Sequence, residues 1–405
     1  MSTARAGTAA PTGVVAILIF AVAVAAFSRV PLLPDIGDDL TLTAAEIGLL
    51  TAAFGLGRLI TDLPAGRLAD AVGPTVAMTG SGILLALGCA LLAVSGSMAE
   101  ALLGSCLIGV ASAITNTTGM YAFATATGPE RRGASMALYV TALMSGQMLG
   151  PALGGALGSL TGWRPAIAVA GSIGIAVALT AFLASRRLPR ARDPAGGRAR
   201  GERPAATLPP RHELIALGLA PFATFFGMAG LTQTLIPLVG ANELDYSASV
   251  IGLAIAVGAA VRFASAWASG IASDRLSRKV VLVPNLAVMA LGAGALVIST
   301  GVVAWSVSIV LIAIGSSGIS VAAAAVADRV PTASLGRELG RFRLVGDLGL
   351  LVGPAILGLV YGASGPRAAS AVAAGVFVAA TVASAVWVGE DPRPHAPDTG
   401  ELVLE

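Results

Sequence analysis

Gly66-Arg67-Leu68-Ala69-Asp70-Ala71-Val72-Gly73 and Gly270-Ile271-Ala272-Ser273-Asp274-Arg275-Leu276-Ser277-Arg278-Lys279 are one device met twice, 204 residues apart. The leading Gly and the Asp four residues later coincide at that offset, and so do Arg58 and Arg262 upstream. At an offset of 203, Gly146, Gly150 and Pro151 map onto Gly349, Gly353 and Pro354. Single glycines coincide by chance in a chain that holds 51 of them; a shared Arg, a shared Asp and a shared Gly-Pro do not. The chain therefore reads as an internal duplication, and the repeat unit decides its architecture.

Each copy lies between two apolar runs. Working outward gives twelve runs of about 20 residues, long enough to cross a bilayer as helices. They fall at 13–33, 44–65, 74–94, 98–121, 134–158, 164–184, 213–238, 248–270, 279–299, 303–327, 341–361 and 366–388, here numbered spans 1 to 12. They lack the alternation of barrel strands. The 405 residues are 56% hydrophobic and 12% charged, about half the charge of a soluble domain. A water-soluble particle of this size has too little interior to hide so much hydrocarbon. One polar stretch with eight Arg, together with Pro189, Pro194, Pro204, Pro209 and Pro210, separates the runs six and six and reads as a flexible linker. The expected organisation is all-α: a six-helix bundle over 1–184, a linker over 185–212, a second bundle over 213–388 and a tail over 389–405.

Basic residues set the expected orientation. With the N-terminus inside, twenty of the 25 Lys and Arg fall on the cytoplasmic side, Arg164 and Arg367 fall outside, and Arg29, Arg58 and Arg262 lie within spans. The outer loops carry acids instead, among them Asp35, Glu46, Glu100 and Glu243. Both termini are expected in the cytoplasm and the chain in the inner (plasma) membrane. The basic excess is then a sorting signal, and no nucleic acid is expected as a partner. The 2 Cys lie in apolar runs and the 2 His in polar ones, so neither a disulfide, a metal site nor a buried imidazole relay is expected. The single Lys, Lys279, follows no Gly-rich phosphate loop, and no cofactor is expected.

The paired loops resemble the signature of the major facilitator superfamily, over essentially the whole chain: Gly66, Asp70 and Gly73 in one half, Gly270, Asp274 and Arg275 in the other. A short turn needs Gly, and an Asp beside a helix N-terminus gains from its dipole, so such a contact can latch one conformation. The first copy departs from the pattern at Ala71, Pro74 and Thr75, where basic residues are common in the family. Gly146, Gly150, Pro151, Gly154 and Gly155 in span 5 are similar to the antiporter signature of family exporters. Gly146, Gly150 and Gly154 share one helical face, suited to close helix packing. In span 4, Ser105 stands before Gly109 where exporters of the family usually carry an Arg tied to proton coupling. The resemblance implies two pseudo-symmetric six-helix bundles around a central site, most similar to twelve-helix drug:proton antiporters.

Ionisable residues inside a span cost about 2.5–3.5 kcal/mol on insertion scales and are functional candidates by default. They are Arg29, Arg58, Asp62, Arg262 and Asp347, with Arg343 one turn before Asp347. The family fold places spans 2 and 11 side by side, so Arg58 is expected to pair with Asp347, or with Asp62 one turn along its own helix. Arg262 occupies the position of Arg58, but the counterpart of Asp347 is Met144. Arg262 thus has no evident carboxylate, and an anionic or strongly hydrogen-bonding cargo would neutralise it. Arg29, Asn116, Gln147 and Gln233 are expected to line the same cavity. Proton-linked export of a small neutral or anionic organic molecule by a monomer in the lipid bilayer is the expected function, with Asp62 or Asp347 carrying the proton. Exchange or uptake of an anion bound by Arg29 and Arg262 is the alternative. An enzyme would need convergent nucleophiles, bases or metal ligands that this inventory does not supply.

Overall fold

The computed structural model describes residues 9–126, 132–187, 210–330 and 335–389. Within them every element is helical, and no strand occurs among the described residues. Most of the expected linker and tail lies outside them.

Eleven helices are long and apolar enough to cross a membrane. The last, Leu335–Trp387, runs for 53 residues, about 80 Å at 1.5 Å per residue and more than twice the thickness of a hydrocarbon core. It breaks at Gly365, whose φ of 81° and ψ of 177° are non-helical. A side chain is strained at that φ and Gly is not; Pro366 then starts span 12. Twelve spans follow, so the described chain begins and ends on one face. That face is called near here, and the opposite one far.

The spans run farther than hydropathy alone gives. Span 2 is helical over Ala44–Val72, span 4 over Met98–Ala126, span 5 over Arg132–Thr161 and span 8 over Ala248–Arg275. This corrects the expected loops. Residues 66–72 are the last turns of span 2 and 270–275 the last turns of span 8. The real stop after span 2 is Gly73, at φ 83°, followed by Pro74 as the first residue of span 3, a placement where its missing N–H costs nothing. The backbone is described through Gly66–Ala71, but the side chains of this segment, including Asp70, lie outside the described set.

Polar caps fix the far ends of two spans. Thr43 N–H donates to Glu46 Oε2 at 2.7 Å while Glu46 N–H reaches Thr43 Oγ1 at 3.3 Å. Ser97 and Glu100 repeat the pattern at 3.2 and 3.4 Å. These acids are capping boxes, satisfying amides that a helix leaves open. Arg164, at the start of span 6, donates to Asp39 at 2.8 Å and to the Ala93 carbonyl at 2.9 Å, tying spans 1, 3 and 6 together.

Two buried clusters form the cores. One is built chiefly from spans 1 to 6, around Leu18, Phe54, Met78 and Phe123; the other from spans 7 to 12, around Phe226, Met289, Trp305 and Phe377. The bundles meet along two seams, span 2 against span 11 and span 5 against span 8. Both seams are glycine contacts. A Cβ on Gly155 would lie 2.2 Å from the Ala248 carbonyl oxygen, and one on Gly48 would lie 2.4 Å from that of Pro354. Gly146, Gly150 and Gly154 face span 1 within their own bundle instead. The span 5 glycines thus divide between two jobs: packing a bundle, and sealing the far half between bundles.

Spans 1, 7 and 10 are irregular. Span 1 tightens to a 3-10 turn at Val30–Leu32 before a short helix over Leu33–Asp39. Span 7 widens to a π-helix over Gly227–Leu235. Span 10 breaks between Ser316 and Ile319. Such departures recur at functional sites, because they release backbone groups and re-aim side chains.

Candidate functional site

Two features lie between the bundles. The first is a small cavity at mid-depth, about 50 Å³ in volume, walled by spans 1, 5, 7, 8 and 10. The irregular part of span 7 supplies Met228, Thr232 and Gln233 to it. Its one charged side chain is Arg262 of span 8. The guanidinium donates from Nη2 to Gln147 Oε1 at 2.5 Å and from Nη1 to Met228 Sδ at 2.8 Å. Neither partner is charged, and no carboxylate bridges Arg262 among the described residues. Gln147 belongs to span 5, so this hydrogen bond crosses from one bundle to the other.

The second feature lies on the near side of the cavity, where spans 2 and 11 touch. Arg343 of span 11 clasps Asp62 of span 2, with Nη2 to Oδ1 at 3.0 Å and Nε to Oδ2 at 3.3 Å. Thr117 Oγ1 donates to the same carboxylate at 3.2 Å. Arg58 stands one turn from Asp62, with Nη2 3.9 Å from Oδ2 and Nη1 3.1 Å from Ser112 Oγ. Asp347, 3% exposed, lies one turn along span 11 from Arg343 and close to Asp62 and Arg58. Four ionisable groups, two from each bundle, thus gather at one site where spans 2 and 11 touch. The close charge pair across the bundles is Asp62 with Arg343, a residue that sequence reading left at the edge of the span.

The remaining candidates are placed as follows. Gln233 lines the cavity, 3% exposed, with no hydrogen-bond partner for either amide atom among the described residues. Arg29, at the same position in span 1 by the 204-residue offset, does not line it. It points into the first bundle, 1% exposed, with its guanidinium 4.6 Å from the centroid of the Phe54 ring and its three nitrogens without hydrogen-bond partners among the described residues. Asn116 also stays out of the cavity, with its amide oxygen taken by the Tyr139 hydroxyl. At the near end of span 8, Asp274 accepts from Arg278 at 2.9 Å, and Arg278 also binds Asp328 at 2.9 Å. The basic partner of Asp274 is thus Arg278, at the start of span 9, where the expected basic residue was Arg275. Asp328 ends span 10, 50 residues away in sequence, and no local pattern announces it.

Two bundles of six spans, packed along two seams with a cavity and charged residues between them, define the two-bundle architecture of a membrane transporter. The model of the Major Facilitator Superfamily matches residues 15–317 and 217–402, and the chain belongs to that family. Among curated relatives, it is 25% identical to the class C tetracycline resistance protein of Escherichia coli, over 82% of this chain and 85% of that one. It is 29% identical to the probable nitrate/nitrite transporter NarK2 of Mycobacterium tuberculosis, over 82% and 84%. A bacterial homolog to the human lysosomal transporter Spinster, solved in an inward-facing and occupied conformation, superposes with a TM-score of 0.73 over 95% of each chain at 16% identity, a likeness of fold. The protein is a membrane transporter and not an enzyme.

Proposed function

We propose that the protein exports a small neutral or anionic organic molecule in exchange for protons, with the near face in the cytoplasm and the chain in the inner membrane of a bacterium. The excess of Arg on the near side supports the orientation. The observation that carries the coupling is the carboxyl pair Asp62–Asp347 at the bundle interface, held between Arg58 and Arg343. With both carboxyls ionised, two like charges lie close together and repel, and a proton on either one relieves this. A proton on Asp62 removes the charge that holds Arg343. This alters a bond between the bundles, so proton occupancy biases the rocking that moves the cavity from face to face. One proton entering down 100 mV supplies about 2.3 kcal/mol, which sustains a gradient of about fifty-fold in a neutral solute. Span 5 carries the antiporter-like glycine pattern, of which Gly155 packs against span 8 at the seam, and this supports export.

In liposomes with an imposed pH gradient, wild-type protein is expected to accumulate cargo against its gradient and to dissipate the proton gradient as it does so. Asp347→Asn should lose gradient-driven accumulation, by at least about tenfold for one lost ionisable contact, while keeping cargo-for-cargo exchange. Undiminished accumulation in the variant removes Asp347 from the coupling. A second reading, uptake or exchange of an anion, is favoured by the absence of a carboxylate on Arg262 and by the similarity to a probable nitrate/nitrite transporter. It predicts counterflow of labelled anion without any pH gradient.

A further inference from the structure

The cavity has an uneven chemistry. Its charge, Arg262, lies on the side of span 8, with the amides of Gln147 and Gln233 as its main polar company; most of the remaining wall is apolar, from Phe27 and Val30 to Ile255, Ile309 and Ile312. An Arg has five N–H donors in a flat fork. Here the fork meets one neutral amide oxygen and one thioether sulfur, a weak acceptor. Charge-assisted, bidentate bonds to a carboxylate are about twice as strong as bonds to a neutral oxygen. The site is therefore held, in this conformation, by a weaker acceptor than the one it is shaped for. Gln233, buried in the same cavity with both amide atoms unpartnered among the described residues, supplies a donor for a second oxygen.

We propose that Gln147 is an internal stand-in for cargo: its amide oxygen holds the place on Arg262 that the carboxylate of an amphiphilic organic monoanion takes in the loaded transporter. One cationic group matches a single negative charge, and the apolar wall matches a hydrocarbon or aromatic body. A bare inorganic anion leaves that wall unfilled, and an organic cation meets repulsion. The Gln147–Arg262 bond crosses the span 5–span 8 seam, so cargo that displaces Gln147 also removes a tie between the bundles. Binding and release of the seam become one event. This assignment rests on the reading of the cavity as the transport site.

The test is binding to purified wild-type protein of four probes at matched concentration and ionic strength: octanoate, octanol, octylamine and nitrate. Octanoate is expected to bind, and the other three at least about tenfold more weakly. Gln147→Leu and Gln147→Asn, which remove or shorten the competing oxygen, should tighten octanoate several-fold. Gln147→Glu, which plants a carboxylate on Arg262, should weaken it by about tenfold or more. Weakening in all three variants, or equal binding of the amine, alcohol or nitrate, overturns the proposal. Size-exclusion profiles and circular dichroism identify any variant that fails to fold, and the remaining variants then decide. The readout is equilibrium binding, so proton-coupled flux can fail in liposomes while this inference stands, and the reverse.

Discussion

Arg29 puts the residue-scale physics in its plainest form. A guanidinium enclosed in a core with only an aromatic face beside it destabilises the bundle that holds it, because desolvation of a charge exceeds what a ring returns. Arg29→Met, close in length and apolar, is expected to raise the thermal midpoint of the purified protein, by an amount equivalent to about 1–3 kcal/mol. A lowered midpoint would mean that the charge is satisfied in the native state. Asp62→Asn leaves Arg343 facing a neutral amide across the seam. It is expected to cost about 3–5 kcal/mol of the cross-bundle contact, the scale for breaking a buried pair, read as a lower unfolding midpoint that a further Arg343→Gln change partly restores. Legibility at this scale was uneven. Arg58, Asp62, Asp347 and Arg262 stand out in sequence because charge inside an apolar run is expensive. Their partners do not: Thr117 and Arg343 lie 55 and 281 residues from Asp62, and only the fold brings them together. Arg29 looked like a cavity residue because Gln233 was expected opposite it in span 7; its guanidinium packs on Phe54 within the first bundle instead.

At the scale of elements, the glycine seam is the feature with the sharpest consequence. Gly155 leaves no room for a side chain against span 8, so Gly155→Ala must push spans 5 and 8 apart or strain them, at about 1–3 kcal/mol. The far seam should then open more often. A Cys placed at Ser159, whose hydroxyl accepts from the Ser249 amide across the same seam at 3.0 Å, should react faster with a membrane-impermeant maleimide in the Gly155→Ala background than in the parent. Equal rates would mean that the seam does not gate access. Gly294→Ala, where an added Cβ meets nothing within 4 Å, is the control and should change neither rate nor stability appreciably. The spans themselves were legible from hydropathy, and Gly73 from its place in the repeated loop pattern. Helix ends were not. Polar residues after an apolar run read as loop, yet span 2 stays helical to Val72 and span 8 to Arg275; a helix leaving the hydrocarbon keeps its backbone bonds until something stops it, Gly73 and Pro74 after span 2 and the Ser277 cap of span 9 after span 8.

For the whole molecule, the duplicated sequence, the two cores and the paired seams describe a body with two stiff halves and few bonds between them. In the proposed mechanism two of those bonds act as switches: Asp62–Arg343, beside Asp347, on the near side, and Gln147–Arg262 at the cavity. The central claim is that proton occupancy of the carboxyl pair sets which face is open. Distances between spin labels at Leu160 and Val303, both exposed at far ends of opposite bundles, measure this directly by pulsed electron resonance in lipid nanodiscs. The wild-type far-face distance distribution should redistribute between a short and a long population as pH is stepped across the physiological range, and the Asp62→Asn, Asp347→Asn double variant should show one pH-independent distribution. A wild-type distribution indifferent to pH, or a double variant that still responds in full, would contradict the account.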